Sequence, residues 1–216
     1  MVTQPLSPDR ALAIGYAPVA ARPALEALLG LDDALGQVLR TTREPMLGRM
    51  RYAWWFEALE RLDHAPPPAE PVLRAVAAAV LPRGVTGATL AAMIDGWETI
   101  GDDEPLGEAA LATFAEKRGG LLFDAMARVC GASDAQARMA GEGWALVDLA
   151  QGLTDAGVAA AARMMATTRL ERVAGEQWSR EGRAIGALAL LARFELEGRS
   201  PARRLGRLVL HRLTGR

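Results

Sequence analysis

Apolar residues recur at three- and four-residue intervals along nearly the whole chain, and no stretch keeps the strict alternation of a half-buried strand. Leu25, Leu28, Leu29, Leu35, Val38 and Leu39 trace one helical face and predict a helix over 22–40. Ser7-Pro8-Asp9 offers a cap, a proline at the first helical position and an acid in the first turn, so a short helix precedes it, ending near Tyr16-Ala17-Pro18. Glu44-Pro45 opens the next, which runs through Met46, Met50, Trp54 and Leu59 to Leu62 and stops at Pro66-Pro67-Pro68. The same reading predicts helices over 70–81, 86–100, 106–130, 133–152, 154–173, 176–196 and 200–213, with Gly131 closing the long one. The expectation is an all-α bundle of about ten helices forming one domain over 1–216, without internal repeats.

Composition narrows the chemistry. Half of the 216 residues are hydrophobic, mostly Ala and Leu, which favour helices. Cys130 is the single cysteine and reads as a small buried hydrophobe, so no internal disulfide forms. His64 and His211 are too far apart in sequence for zinc-type ligand spacing. A net charge of -1 gives no reason to expect nucleic acid. The N-terminal MVTQPLSPDR lacks the regions of a signal peptide, and the apolar run Ala184–Ala192 is too short to span a bilayer, so a cytoplasmic location is expected.

Charge is uneven, however. Residues 199–216 hold six arginines and no acid; subtracting them from the net charge leaves -7 elsewhere. Leu205, Leu208, Val209 and Leu213 interleave with these arginines as a basic amphipathic helix. It either docks on a partner or on the inner membrane as a peripheral contact, or packs by its stripe as the last core helix. The stripe Leu205, Leu208, Val209 favours the second reading.

Three segments carry a resemblance. Leu31-Asp32-Asp33-Ala34-Leu35-Gly36-Gln37-Val38-Leu39-Arg40 leads through Glu44-Pro45 into Arg51-Tyr52-Ala53-Trp54-Trp55-Phe56-Glu57-Ala58-Leu59. Phe114–Leu122 holds a small-residue kink at Gly119-Gly120, and Gly143–Leu149 forms a glycine-led helix. In this order, over about 11–155, they resemble the squalene/phytoene synthase family. The resemblance implies the isoprenoid-synthase helical bundle and head-to-head condensation of two prenyl diphosphates, with Mg²⁺ held by two Asp-x-x-x-Asp motifs. Residues four apart share a helix face, which is why that spacing can hold a metal.

The chain departs from the pattern at both places. Anchored on Pro45 and Trp54, the first motif falls on Gly36 and Arg40; anchored on Gly143, the second falls on Thr154 and Val158. A one-residue slip brings in Asp155, with Ala159 as its partner, and no Asp-x-x-x-Asp occurs anywhere. No catalytic residue, metal site or cofactor is therefore expected, Mg²⁺ being required only if the chain is an enzyme after all.

Asp33, Gln37 and Arg40 share one helix face, as do Asp148, Gln151 and Asp155. They read either as the polar remnant of a cavity, with Arg40 and Arg43 pairing to Asp148 or Asp155, or as solvated surface. Arg40, Arg43 and Arg51 together could hold a phosphate group without metal. Trp54 and Trp55 read as core residues; they point about 100° apart, so burying both requires a helix covered on two sides. The functional expectation is a non-catalytic interaction protein with a protein partner, resembling the branch of the family that acts in assembly of respiratory complex I. The alternatives are a prenyl-diphosphate-using transferase and a module that binds lipid or a prenyl chain.

Overall fold

Helix starts in this chain are set by prolines and capping side chains. The Ser7 hydroxyl accepts the Arg10 amide at the head of α1 (Pro8–Ile14), and after a 3₁₀ turn over Val19–Ala21 comes α2 (Arg22–Thr41). Pro45 opens α3 (Pro45–Arg61), and the Glu70 carboxylate accepts the Leu73 amide to start α4 (Pro71–Ala79). Next come α5 (Gly87–Ala91) and α6 (Ile94–Gly101), then α7 (Glu108–Phe114), which continues through a π-helical turn, Ala115–Gly120, into α8 (Leu121–Cys130). The chain finishes with α9 (Ala137–Gly152), α10 (Ala156–Arg172), α11 (Arg183–Glu197) and α12 (Pro201–Thr214). The computed structural model describes residues 7–42, 44–101, 106–198 and 201–216, with side chains omitted at 201–203. Among the described residues there is no strand, so the all-α architecture stands.

One contiguous apolar core runs from α1 to α12. α2 lies at its centre, packed against α3, α4, α6 and α8, while α9 is wrapped by α8, α10, α11 and the π-helical turn. That turn follows from its glycines. A methyl group on Gly119 would run into the Gly141 carbonyl and one on Gly141 into the Gly119 carbonyl, so the two helices touch backbone to backbone. Gly131, at φ 72°, closes α8 in the left-handed conformation expected of it.

Several sequence expectations need correction. Residues 86–100 form two helices, not one, and α9 begins at Ala137 because the Asp134 carboxylate is spent on the Ser179 amide (2.8 Å) and hydroxyl (2.7 Å). The segment 176–182 is not helical: the Trp178 amide donates to the Gly215 carbonyl (2.8 Å), tying this connection to the C-terminal end. Trp55 is buried, but Trp54 is 47% exposed, and Met46 and Met50 on the same side of α3 are exposed further. Among the described residues α3 is thus covered on one side only, by α2, α5 and α6. In α12 only Leu208 of the expected stripe is buried, while Leu205, Val209 and Leu213 face outward.

Candidate functional site

Two charged residues stand where helical spacing puts apolar ones. Asp32 follows Leu25, Leu28 and Leu29 on the buried face of α2, and Arg118 follows Leu111, Phe114 and Ala115 on the buried face of α7 and the π-helical turn. Both are fully buried, and they meet as a bidentate pair: Arg118 Nε donates to Asp32 Oδ1 at 2.7 Å and Nη2 to Oδ2 at 2.9 Å. The same Nη2 lies 2.7 Å from Asp148 Oδ2 on α9. The guanidinium therefore bridges carboxylates from α2 and α9, in the planar geometry that arginine offers and lysine does not.

Aromatic rings close the remaining sides. The Arg118 guanidinium carbon lies 4.3 Å from the Trp97 ring centre, 4.8 Å from Trp144 and 5.3 Å from Phe114, all within cation–π range. Burial opposes the charge of Arg118, but Asp32 and Asp148 outweigh it and hold the group firmly protonated. Burial alone would also raise the Asp32 carboxyl; the charges and hydrogen bonds of Arg118, then Arg10, hold it below the usual carboxylate range. Arg10, at the start of α1, extends the cluster outward, donating to Asp33 Oδ1 (2.6 Å) and Asp32 Oδ2 (3.3 Å).

Beside this cluster opens a cavity of about 1000 Å³. Gly30, Asp33, Ala34, Gln37 and Arg40 of α2 form one wall; Trp144, Val147, Asp148 and Gln151 of α9 form another. Leu188, Leu191, Ala192 and Glu195 of α11 supply a largely apolar third side, and Arg51 reaches its edge from α3. Asp33, Gln37, Arg40, Asp148 and Gln151 thus line one space. Asp155 does not: its carboxylate accepts the Gly157 and Val158 amides (2.8 and 2.9 Å) and caps α10 at the surface. The expected pairing of Arg40 with Asp148 is also absent, because Asp148 belongs to Arg118 and the Arg40 guanidinium turns back to the Asp33 carbonyl (3.4 Å). Arg51 donates to the Thr41 and Thr42 hydroxyls (3.0 and 2.7 Å), and Arg43 lies outside the described residues.

Gly36 explains how Arg40 fits. A side chain there would press on the Arg40 guanidinium (2.9 Å) and the Trp97 ring (3.1 Å), so the first motif position is small where the second is a large cation. Of the second motif positions, Thr154 is exposed and Val158 half-buried on α10. Sequence reasoning missed Arg118, Asp32, Arg10, Trp97 and Trp144. The available signal was the charge itself, an acid and a base each interrupting an apolar stripe.

Two carboxylate-bearing helices, α2 and α9, thus flank the cavity of a helical bundle. The family model for squalene/phytoene synthase matches residues 4–181, most of the chain, and the protein belongs to that family. No curated protein and no solved structure matches it. The carboxylates around the cavity do not fit Mg²⁺. Both oxygens of Asp32 are committed to arginines, Asp148 and Asp33 are each bound by one, and among the described residues no three acidic or other ligating side chains converge.

Proposed function

We propose that this chain is a non-catalytic squalene/phytoene synthase-like protein that works through protein interaction. The observation carrying the reading is Arg118, whose guanidinium engages Asp32 of α2 and Asp148 of α9 from within. A metal-dependent ionisation of a prenyl diphosphate needs carboxylates free to hold the ion, and neither Gly36 and Arg40 nor Thr154 and Val158 supplies one. An outward stripe on α3, Met46, Met50 and Trp54 at four-residue spacing, supports a protein partner, since exposed aromatic and methionine side chains are typical of interface centres. The purified chain with Mg²⁺ and farnesyl or geranylgeranyl diphosphate should release no diphosphate above background. Turnover that Asp148→Asn abolishes would sink the proposal.

One observation favours a second reading. The cavity joins the apolar side chains Val147, Leu188, Leu191 and Ala192 to Arg40 and Arg51 at its edge, which suits an anionic amphiphile held without chemistry. Mass spectrometry of the intact protein under native conditions would reveal a co-purified lipid or prenyl chain, and Leu191→Trp should exclude it.

A further inference from the structure

α12 is docked by one face and apolar on the other. Leu208 and His211 are buried against the bundle, where His211 Nε2 lies 2.9 Å from the Arg183 carbonyl and the Tyr16 hydroxyl donates to the Leu208 carbonyl (3.2 Å). Leu205, Val209 and Leu213, spaced by four residues, are 63%, 49% and 71% exposed, and Leu210 beside them is 42% exposed. At 100° per residue these four cover an outward sector, with Arg212 along one margin and Arg207 along the other. Near Arg212 the surface continues into a hollow bordered by Arg22, Arg180, Glu181 and Val19, the last 75% exposed. Burying Leu208 therefore turns the rest of the stripe out to water.

We infer that this outward face of α12 docks on an anionic lipid bilayer, lying in the plane of the headgroups. The pattern is that of an interfacial helix: aliphatic side chains in a line, cations at their margins, and no acidic side chain between 199 and 216. A protein partner would have to present acids in register with the arginines, whereas an anionic bilayer offers them everywhere. Arg204 pairs with Glu195 (2.6 Å), a residue that also lines the cavity, so the start of α12 lies beside the cavity. The inference does not depend on whether the chain has lost catalysis.

The test mixes the full chain with vesicles of phosphatidylcholine alone, or of equal parts phosphatidylcholine and phosphatidylglycerol, and follows co-sedimentation against salt. Binding should appear with the anionic vesicles only and fall as salt rises. Replacing Arg207 and Arg212 by Gln should weaken it by about tenfold. Leu205→Asn, Val209→Asn and Leu213→Asn together should also weaken it by about tenfold or more while melting stays unchanged, because these side chains touch little of the bundle. Should that variant fail to fold, Leu213→Cys carrying an environment-sensitive dye, in a Cys130→Ala background, reads the same contact and should shift to the blue with anionic vesicles. Equal binding to neutral vesicles, a dye that stays in water, or wild-type binding by the triple variant would overturn the inference. So would a chain that ignores vesicles and dimerises through this face.

Discussion

At Arg118 the guanidinium is enclosed, with Asp32 and Asp148 at its edge and three aromatic rings around it. Along α12 the relation is reversed: Arg207 and Arg212 stand at the margins of aliphatic side chains that are themselves exposed. What separates the two regions is where the charge falls relative to the apolar stripe. In the centre an arginine and an aspartate each take a stripe position, so they are carried into the core and must find each other. In α12 the arginines fall beside the stripe, and packing buries only Leu208 from it, together with the neighbouring His211. A charge inside the pattern fixes the fold, while a charge beside it leaves a surface.

The largest effect should come from breaking the centre. Arg118→Ala leaves Asp32 buried without its main partner and should cost about 3–5 kcal/mol in chemical denaturation. Replacing both members, Asp32→Leu with Arg118→Leu, should recover much of that loss, because paired charges offset a desolvation cost that leucines never incur. A double variant as unstable as the single one would mean that the aromatic contacts of Arg118, not the ion pair, hold the centre. Within α12 the comparison sharpens to neighbours. Leu208→Ala should cost about 2–5 kcal/mol, and Leu205→Ala should stay within about 0.5 kcal/mol, both read from denaturant midpoints. Equal losses would place Leu205 in the core and remove the outward stripe.

Smaller effects should separate the two regions by pH. His211 is held below its ordinary value by burial, so its contribution is complete above about pH 6.5 and declines as pH falls toward the lower folded value. The Asp32 carboxyl is also lowered, and its contribution is complete above about pH 3.9 and lost only below that. Melting curves against pH should therefore show α12 weakening first and the centre later. His211→Phe should flatten the upper window alone; a variant that also flattened the lower one would couple the two regions.

Most of the helices were legible in the sequence because periodicity, prolines and caps are local signals. Ser7, Pro45 and Gly131 each begin or end a helix as their chemistry dictates. The polar faces of α2 and α9 were also legible, because residues at i and i+4 share a side whatever lies opposite. The centre was not. Asp32 and Arg118 are 86 positions apart, and in a stripe each reads as a gap until the partner is known. Asp155 was misplaced by its distance from the motif, although an aspartate just before an Ala-rich run is the ordinary signal of a helix cap. Trp54 was misread because adjacency to a buried tryptophan says nothing about the far side of the helix, which stays exposed at Met46, Met50 and Trp54.

The π-helical turn at Ala115–Gly120 has a consequence for how the chain tolerates change in length. Such a turn accommodates one residue more than an α-helix of the same rise, so the surplus is absorbed at this point and α7 and α8 both keep their faces on the core. Shortening the chain by one residue here would let an ordinary helix run through from Phe114 to Leu121, leaving both flanking helices in register. The loss would fall on the bulged segment alone, the one that presents Arg118 to the carboxylates of α2 and α9. The same deletion one helical turn into α8 would instead swing every following core residue of that helix by about 100°. The bundle thus carries its buried cation on the stretch of helix where a single-residue indel disturbs the least else.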